Sequence, residues 1–476
     1  MGNSASAPPP LYPQPAPETL FEPYELVALR NCFTLLAQGP NSTLTADSFR
    51  AFPPILPWLS FLDAVCAADP VGDDHCGAFL AVLARCCKAS KSDRLQALAR
   101  LYANAHSGLL SRGAVQALIA HSLAAARVRD SLLDEDVDAA ASAASDATLA
   151  RRMVGVDEWV EWASEQLPTL VHVLPTFLLE FLCAVGRLAE HGHEGALERA
   201  RADLTVRAAM RPVGEPVLLG ASPSVEGKLL SPGAAWLVAL AIGPAAEPRE
   251  WKCLYTSASH GLSMNRFVTH CADYGGPSVL IAATTSGEVF GAYIDSPLKP
   301  GDAFFGGRSC FVFQLAPTFH VYRSSAIGNN FCLFSPRLTG QLRGFEYIGG
   351  GGVDRLGFGG AVDNLRMSFE KDLHTLHWNN SGLSRDAHPW AAGSLVAGSR
   401  SVAVLELYGC GGRDADLVQE ERRKVRLSDM EKSVKIDRAS GMGALTEQAK
   451  QDQFILESAG AHTFYSDQLE KLSLQE

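Results

Sequence analysis

Several signatures that would fix a chemistry outright are missing from this chain. No Cys-x-x-Cys pair occurs among its 11 cysteines, which excludes a zinc ribbon or a thioredoxin-type motif. With Cys86 and Cys87 adjacent in a chain of 476 residues, the set reads as reduced, buried thiols of a cytosolic protein. No Gly-Lys-Ser/Thr follows a glycine run and no G-x-S-x-G elbow occurs, so neither a P-loop nor a nucleophile elbow is encoded. Positive charge is in deficit, net −11, so no long-range field draws in nucleic acid. Apolar runs are short against the roughly 20 residues of a membrane span. The longest, residues 170–188, carries His172, Pro175, Glu180 and Arg187 and reads as a buried helix. The first residues have neither a basic nor an apolar stretch and so read as no secretion signal.

What is present begins at Gly2. Removal of Met1 would expose it, with Ser6 at the place the acyl-transfer motif favours, so Gly2 is the candidate for N-myristoylation. Six prolines before Glu18 make residues 1–17 a stiff, disordered spacer. With no Lys or Arg before Arg30 and no Cys before Cys32, one acyl chain gives only weak, reversible membrane contact.

Residues 18–211 show helical spacing, as in Leu95, Leu98, Leu101 and Tyr102, and predict helix–loop–helix pairs resembling EF-hands. If Gly108 takes the sharp turn, the ligand positions fall on Ala103, Ala105, Ser107 and Ala114, and no carboxylate is offered to calcium. A second loop leading to Glu158 supplies one carboxylate at most. No metal or other cofactor is expected. The alanine-rich run 139–150 reads as an exposed or solvated spacer. Pro212, Gly214, Pro216, Gly220, Pro223 and Gly227 mark a linker over 212–228.

From Leu229 the period changes to short β-rich runs at residues 278–282, 287–293, 310–315, 318–322 and 402–408, separated by turn residues. That spacing predicts packed antiparallel sheet edged by helices. The residues that open it, Trp251 and Tyr255, then Ser259-His260-Gly261-Leu262-Ser263 and Phe267, resemble the signature of the TLDc domain family. Gly276-Pro277, Phe290-Gly291-Ala292-Tyr293, Phe305-Gly306, Gly350 and Gly351 within the glycine run, Phe358-Gly359, and the closing Leu405-Glu406-Leu407-Tyr408-Gly409 follow in that family's order. One departure stands out: in Thr375-Leu376-His377-Trp378-Asn379-Asn380 the Cys and Thr that the family usually carries just before its aromatic-Asn pair are replaced. The whole layout is similar to the eak-type TLDc proteins associated with TOR and lysosomes.

The resemblance implies an α+β chain: a helical EF-hand-like domain at 18–211, a TLDc domain at 229–412 built as a β-sandwich flanked by helices, and a charged helical tail at 413–476. It assigns Trp251, Tyr255, His260, Gly261, Gly276, Phe290, Gly291, Gly350, Gly351 and Glu406 a structural role. It also implies a non-catalytic adaptor of the V-type proton ATPase, contacting cytosolic subunits, with links to TOR complexes and oxidation resistance, peripheral on lysosomal or vacuolar membranes. The alternatives are a structural component of a cytoskeletal assembly such as an axoneme, and a thiol antioxidant enzyme using Cys253, Cys271, Cys310 or Cys332. Ser259, His260 and Asp273 suggest a hydrolase triad, but neighbouring side chains on an extended segment point to opposite faces. In the tail, Val418, Val425, Leu427, Met430 and Val434 predict a narrow apolar stripe, and a second helix carries Leu445, Phe454, Ile455 and Leu456. Val425, Met430 and those four are the candidate partner contacts, the alternative being that the narrow stripe docks back onto the TLDc domain itself.

Overall fold

A computed structural model describes residues 16–37, 43–50, 52, 56–69, 74–127, 135–148, 153–190, 199–200, 216–219, 229–246, 250–271, 273–323, 329–336, 355–362, 364–379 and 397–439. Gly2, Gly350, Gly351, Leu445, Phe454, Ile455 and Leu456 lie outside them. The chain divides into two units, Met1–Gly214 and Glu215–Glu476.

The first unit is helical: α1 (Pro23–Leu36), α2 (Trp58–Ala68), α3 (His75–Cys87), α4 (Lys91–Tyr102), β1 (Leu109–Ser111), α5 (Arg112–Arg127), α6 (Glu135–Thr148), β2 (Met153–Gly155), α7 (Val156–Gln166) and α8 (Leu170–Glu190). Local chemistry starts these helices where it should. Pro23 opens α1 behind a reciprocal Glu22/Glu25 capping box, and the Asp74 carboxylate accepts from Gly77 N at 2.8 Å to cap α3. Helix α8 is the buried helix expected: Phe177, Leu178, Phe181 and Leu182 are in the core. It crosses α1 at Gly186, where a Cβ would strike the Ala28 carbonyl oxygen. Phe49, Phe52, Trp58, Phe61, Phe79 and Phe181 form a continuous aromatic cluster beside it.

Two helix–loop–helix units, α4–α5 and α6–α7, are tied by the antiparallel ribbon β1–β2, with Leu110 opposite Val154. The first loop turns at Gly108, φ +65°, and is closed by Asn104, whose Oδ1 accepts from His106 N and Ser107 N at 3.0 Å. The alanine-rich run is not a solvated spacer. Over α6 it buries Ala140, Ala141, Ala144 and Ser145, and Arg112 of α5 donates to Asp146 Oδ2 at 2.8 Å. Small side chains let the two helices approach closely, which low complexity alone does not distinguish from exposure.

The second unit contains β3 (Val217–Leu219), α9 (Pro232–Ile242), β4 (Glu250–Thr256), α10 (Ser257–His260), α11 (Met264–Cys271), β5 (Ser278–Thr284), β6 (Val289–Ile294), β7 (Phe311–Ala316), β8 (His320–Arg323), β9 (Cys332–Ser335), β10 (Arg355–Ala361), β11 (Asn364–Phe369), β12 (Thr375–Trp378), β13 (Gly398–Gly409) and α12 (Gly412–Ala439). Strand β3 falls inside the span read as a linker and pairs in parallel with β4; the other ladders are antiparallel. Strand order is β8-β7-β6-β5-β13-β12-β11-β10-β9.

Strand β13 joins the halves. One edge pairs with β5 from Val402 to Gly409. Its other edge serves β12 from Gly398 to Ser401, then β4 from Glu406 to Gly409. Shifts of register at Val402/Val404 and at Leu407/Tyr408 mark bulges, which bend a strand. The sheet therefore folds over on itself: Phe290 of β6 meets Trp378 of β12 at 5.9 Å between ring centroids, and Trp378 meets Tyr322 of β8 at 5.6 Å. Helix α9, capped by Ser231 with Pro232 at its first position, is buried from Gly233 to Ala241.

Candidate functional site

The singled-out residues converge on two places in the second unit: a polar knot between β4, α11 and β13, and a seat for α12. In the knot, Glu406 is 3% exposed. Its Oε2 accepts from Tyr408 Oη at 3.0 Å and from Leu229 N at 3.2 Å, and its Oε1 accepts from Thr256 Oγ1 at 3.4 Å. Burial pushes the Glu406 carboxyl above its usual range, against the pull of those donors. Glu406 thus fastens the chain entering α9 to the last strand.

Segment 257–260 is a helical turn, not the extended stretch the sequence suggested, because Gly261 ends it at φ +72°. Tyr255 Oη donates to Gly261 O at 2.5 Å, and His260 Nδ1 accepts from Thr256 N at 3.2 Å. Ser259 is exposed, and the Asp273 carboxylate stands 2.6 Å from Arg426. The hydrolase trio is thereby dispersed into other contacts. His270, which the sequence gave no reason to notice, stacks on His260 with ring centroids 3.8 Å apart. Burial first, then the neighbouring His260 and two arginines, lower His270 to about 4; burial likewise lowers His260.

The seat is built from missing side chains. A Cβ on Gly276 would lie 2.8 Å from that of Ala415, and one on Gly275 would lie 2.6 Å from Val418 Cγ1. Tyr274 Oη accepts from Gly411 N at 2.7 Å, Gln419 Nε2 donates to His270 O at 3.2 Å, and Lys252 pairs with Asp416 at 3.1 Å. Burial weakens the Asp273–Arg426 pair from both sides, raising the acid and lowering the guanidinium. The first turns of α12 therefore dock on their own domain through Ala415, Val418, Gln419 and Arg426. Of the apolar stripe, Val418 faces inward, whereas Val425 is 57% exposed, and Leu417 beside the stripe is 53% exposed. Met430 lies in the same helix.

The remaining motif residues are core. Trp251 and Tyr255 are fully buried and Phe290 nearly so, and the Arg400 guanidinium sits 5.3 Å from the Phe290 ring centre. A Cβ on Gly291 would reach within 2.6 Å of Leu280 O. Cys271, Cys310 and Cys332 are buried and Cys253 half-buried; burial raises the Cys271 and Cys332 thiols. Among the described residues no group of three or more His, Cys, Asp or Glu is gathered as for a metal ion.

The sequence of this unit has counterparts in known proteins. Residues 224–410 match the model of the TLDc domain, starting five residues before the expected boundary and ending two residues short of it. Over 143 residues the chain is 27% identical to Oxidation resistance protein 1 of Rattus norvegicus, a stretch that is 30% of this chain and 16% of that protein. It is 28% identical over 102 residues to Nuclear receptor coactivator 7 of Mus musculus, covering 21% of this chain and 10% of that protein. The chain therefore carries a TLDc domain, and what it shares with these relatives is a small part of their length.

Proposed function

We propose that this chain is a non-catalytic adaptor that grips cytosolic subunits of the V-type proton ATPase through its TLDc domain and C-terminal helices, with an influence on TOR signalling or oxidation resistance. The observation that carries the reading is α12. Its Ala415, Asp416, Val418, Gln419 and Arg426 side chains are engaged on the domain that bears it, while Leu417 and Val425 stay in solvent, so a held rod presents apolar groups to something else. The helical unit is, on this reading, an EF-hand-like scaffold with the cation chemistry removed. An N-terminal acyl chain on Gly2 would add reversible contact with a lysosomal or vacuolar membrane. The name of one relative, Oxidation resistance protein 1, accords with the oxidation-resistance link.

The test is co-purification. Tagged full-length protein is expected to recover pump subunits from cells; Leu417→Asp with Val425→Asp, and separately deletion of residues 444–476, should each lower recovery several-fold. Undiminished recovery from all of these variants sinks the proposal. Mass spectrometry of the N-terminal peptide decides the acylation, which an unmodified Gly2 would end.

A further inference from the structure

Cys310 and Cys332 are separated by 21 intervening residues in sequence, yet their sulfurs lie 3.9 Å apart in the core of the TLDc domain. Two donors converge on the Cys310 sulfur: the Cys332 thiol, and the Asp295 backbone N–H at 3.4 Å. Both thiols are held by backbone bonds. Cys332 exchanges two with Phe305, at 2.8 and 3.0 Å, and Cys310 N donates to Gly307 O at 3.1 Å. Gly307 is itself pinned, its N–H donating to Asp295 Oδ1 at 2.8 Å.

Over the pair lies Gly306, half-buried and at φ +89°. A Cβ there would come within 2.9 Å of the Cys310 sulfur and 3.5 Å of the Cys332 sulfur. The covering residue thus has no side chain, and one glycine Cα stands beside both sulfurs. Of the other thiols, half-buried Cys253 and buried Cys410 donate to backbone carbonyls.

We propose that Cys310 and Cys332 are a redox modification site, a dithiol that closes to a disulfide when hydrogen peroxide reaches it past Gly306. The Cys310 thiol gives up its proton and its sulfur attacks one peroxide oxygen; the O–O bond breaks, the departing hydroxide takes up that proton and leaves as water, and Cys310 becomes a sulfenic acid. The Cys332 sulfur then attacks the Cys310 sulfur, the S–O bond breaks, and water leaves carrying the thiol proton. In sum two thiols and one peroxide give one disulfide and two waters. Closing the sulfurs from 3.9 Å to the roughly 2 Å of a disulfide takes side-chain rotation and a small approach of β9 to the start of β7. The bond would tie together strands that stand near opposite ends of the sheet order, and so lock the fold-over. The event is one per molecule, a switch rather than a peroxidase cycle, and it does not depend on the adaptor reading.

The experiment uses the purified full chain, treated with modest peroxide, quenched, then denatured in alkylating agent and digested. The expected result is a linked Cys310–Cys332 peptide, lighter by about 2 Da than the sum of the free thiols, reversed by dithiothreitol and accompanied by a higher thermal midpoint. In Cys332→Ser the dimedone-trapped sulfenic acid should accumulate on Cys310; in Cys310→Ser the link and most trapping should vanish. Absence of the linked peptide in the native chain, or the same scatter of links in native and urea-unfolded protein, overturns the proposal. Trapping chiefly on Cys332 overturns the assigned order of attack.

Discussion

A side chain at Gly186 would collide with the backbone of α1 at Ala28 and Cys32. Gly186→Val is therefore expected to cost about 2 kcal/mol or more by forcing the α1–α8 crossing apart, read as a lowered urea midpoint. His270 offers a test with a sign. Its native pKa is lowered from 6.5 to about 4, so the folded state binds fewer protons than the unfolded one between those values. Stability is then full above pH 6.5 and falls as pH drops toward 4, by about 3 kcal/mol at most for this group. His270→Phe keeps a stacked ring and should flatten that part of the pH profile, measured by urea unfolding at pH 7 and 4.5. At this scale the sequence was half legible. Trp251, Tyr255, Gly276 and Glu406 could be singled out, but the atoms they meet could not. His270 left no signal because its partner His260 lies on a different helix, and the Cys310–Cys332 pair was hidden because the start of β9 and the residue before β7 meet only in the folded sheet.

The docked turns of α12 depend on one desolvated ion pair and a few small contacts. Asp273 and Arg426, 2.6 Å apart, should show a coupling of about 1–3 kcal/mol in a double-mutant cycle with Asp273→Asn and Arg426→Leu. Either single change should also speed amide exchange from Ala415 to Arg426. Helix α8 and strands β5, β6, β7, β8 and β13 were legible from period and flanking turn residues, since those are local preferences. Strands β4 and β9–β12 were not picked out, and three elements were misread. Strand β3 is three residues long amid prolines and glycines, so its pairing with β4 has no local cause. Helix α6 buries alanines that the same composition would leave exposed elsewhere. In α12 the inward face carries Ala415, Gln419 and Arg426 beside Val418, so the apolar stripe marked that face at Val418 but not at Val425.

At the scale of the whole chain, the helical unit and the TLDc unit call for different probes. Calorimetry with calcium is expected to register no binding at the α4–α5 loop, because its ligand positions carry Ala103, Ala105, Ser107 and Ala114 and its turn is closed internally by Asn104. An isotherm lost on Asn104→Ala would show otherwise. Because β13 lies at residues 398–409 and supplies partners to β4, β5 and β12, the sheet cannot close until nearly all of the domain has left the ribosome. The earlier unit has its own core and is free to mature first. Translation that stalls before residue 398 would thus release a chain with one finished half and three strands exposing unpaired edges, a natural client for chaperones and proteases.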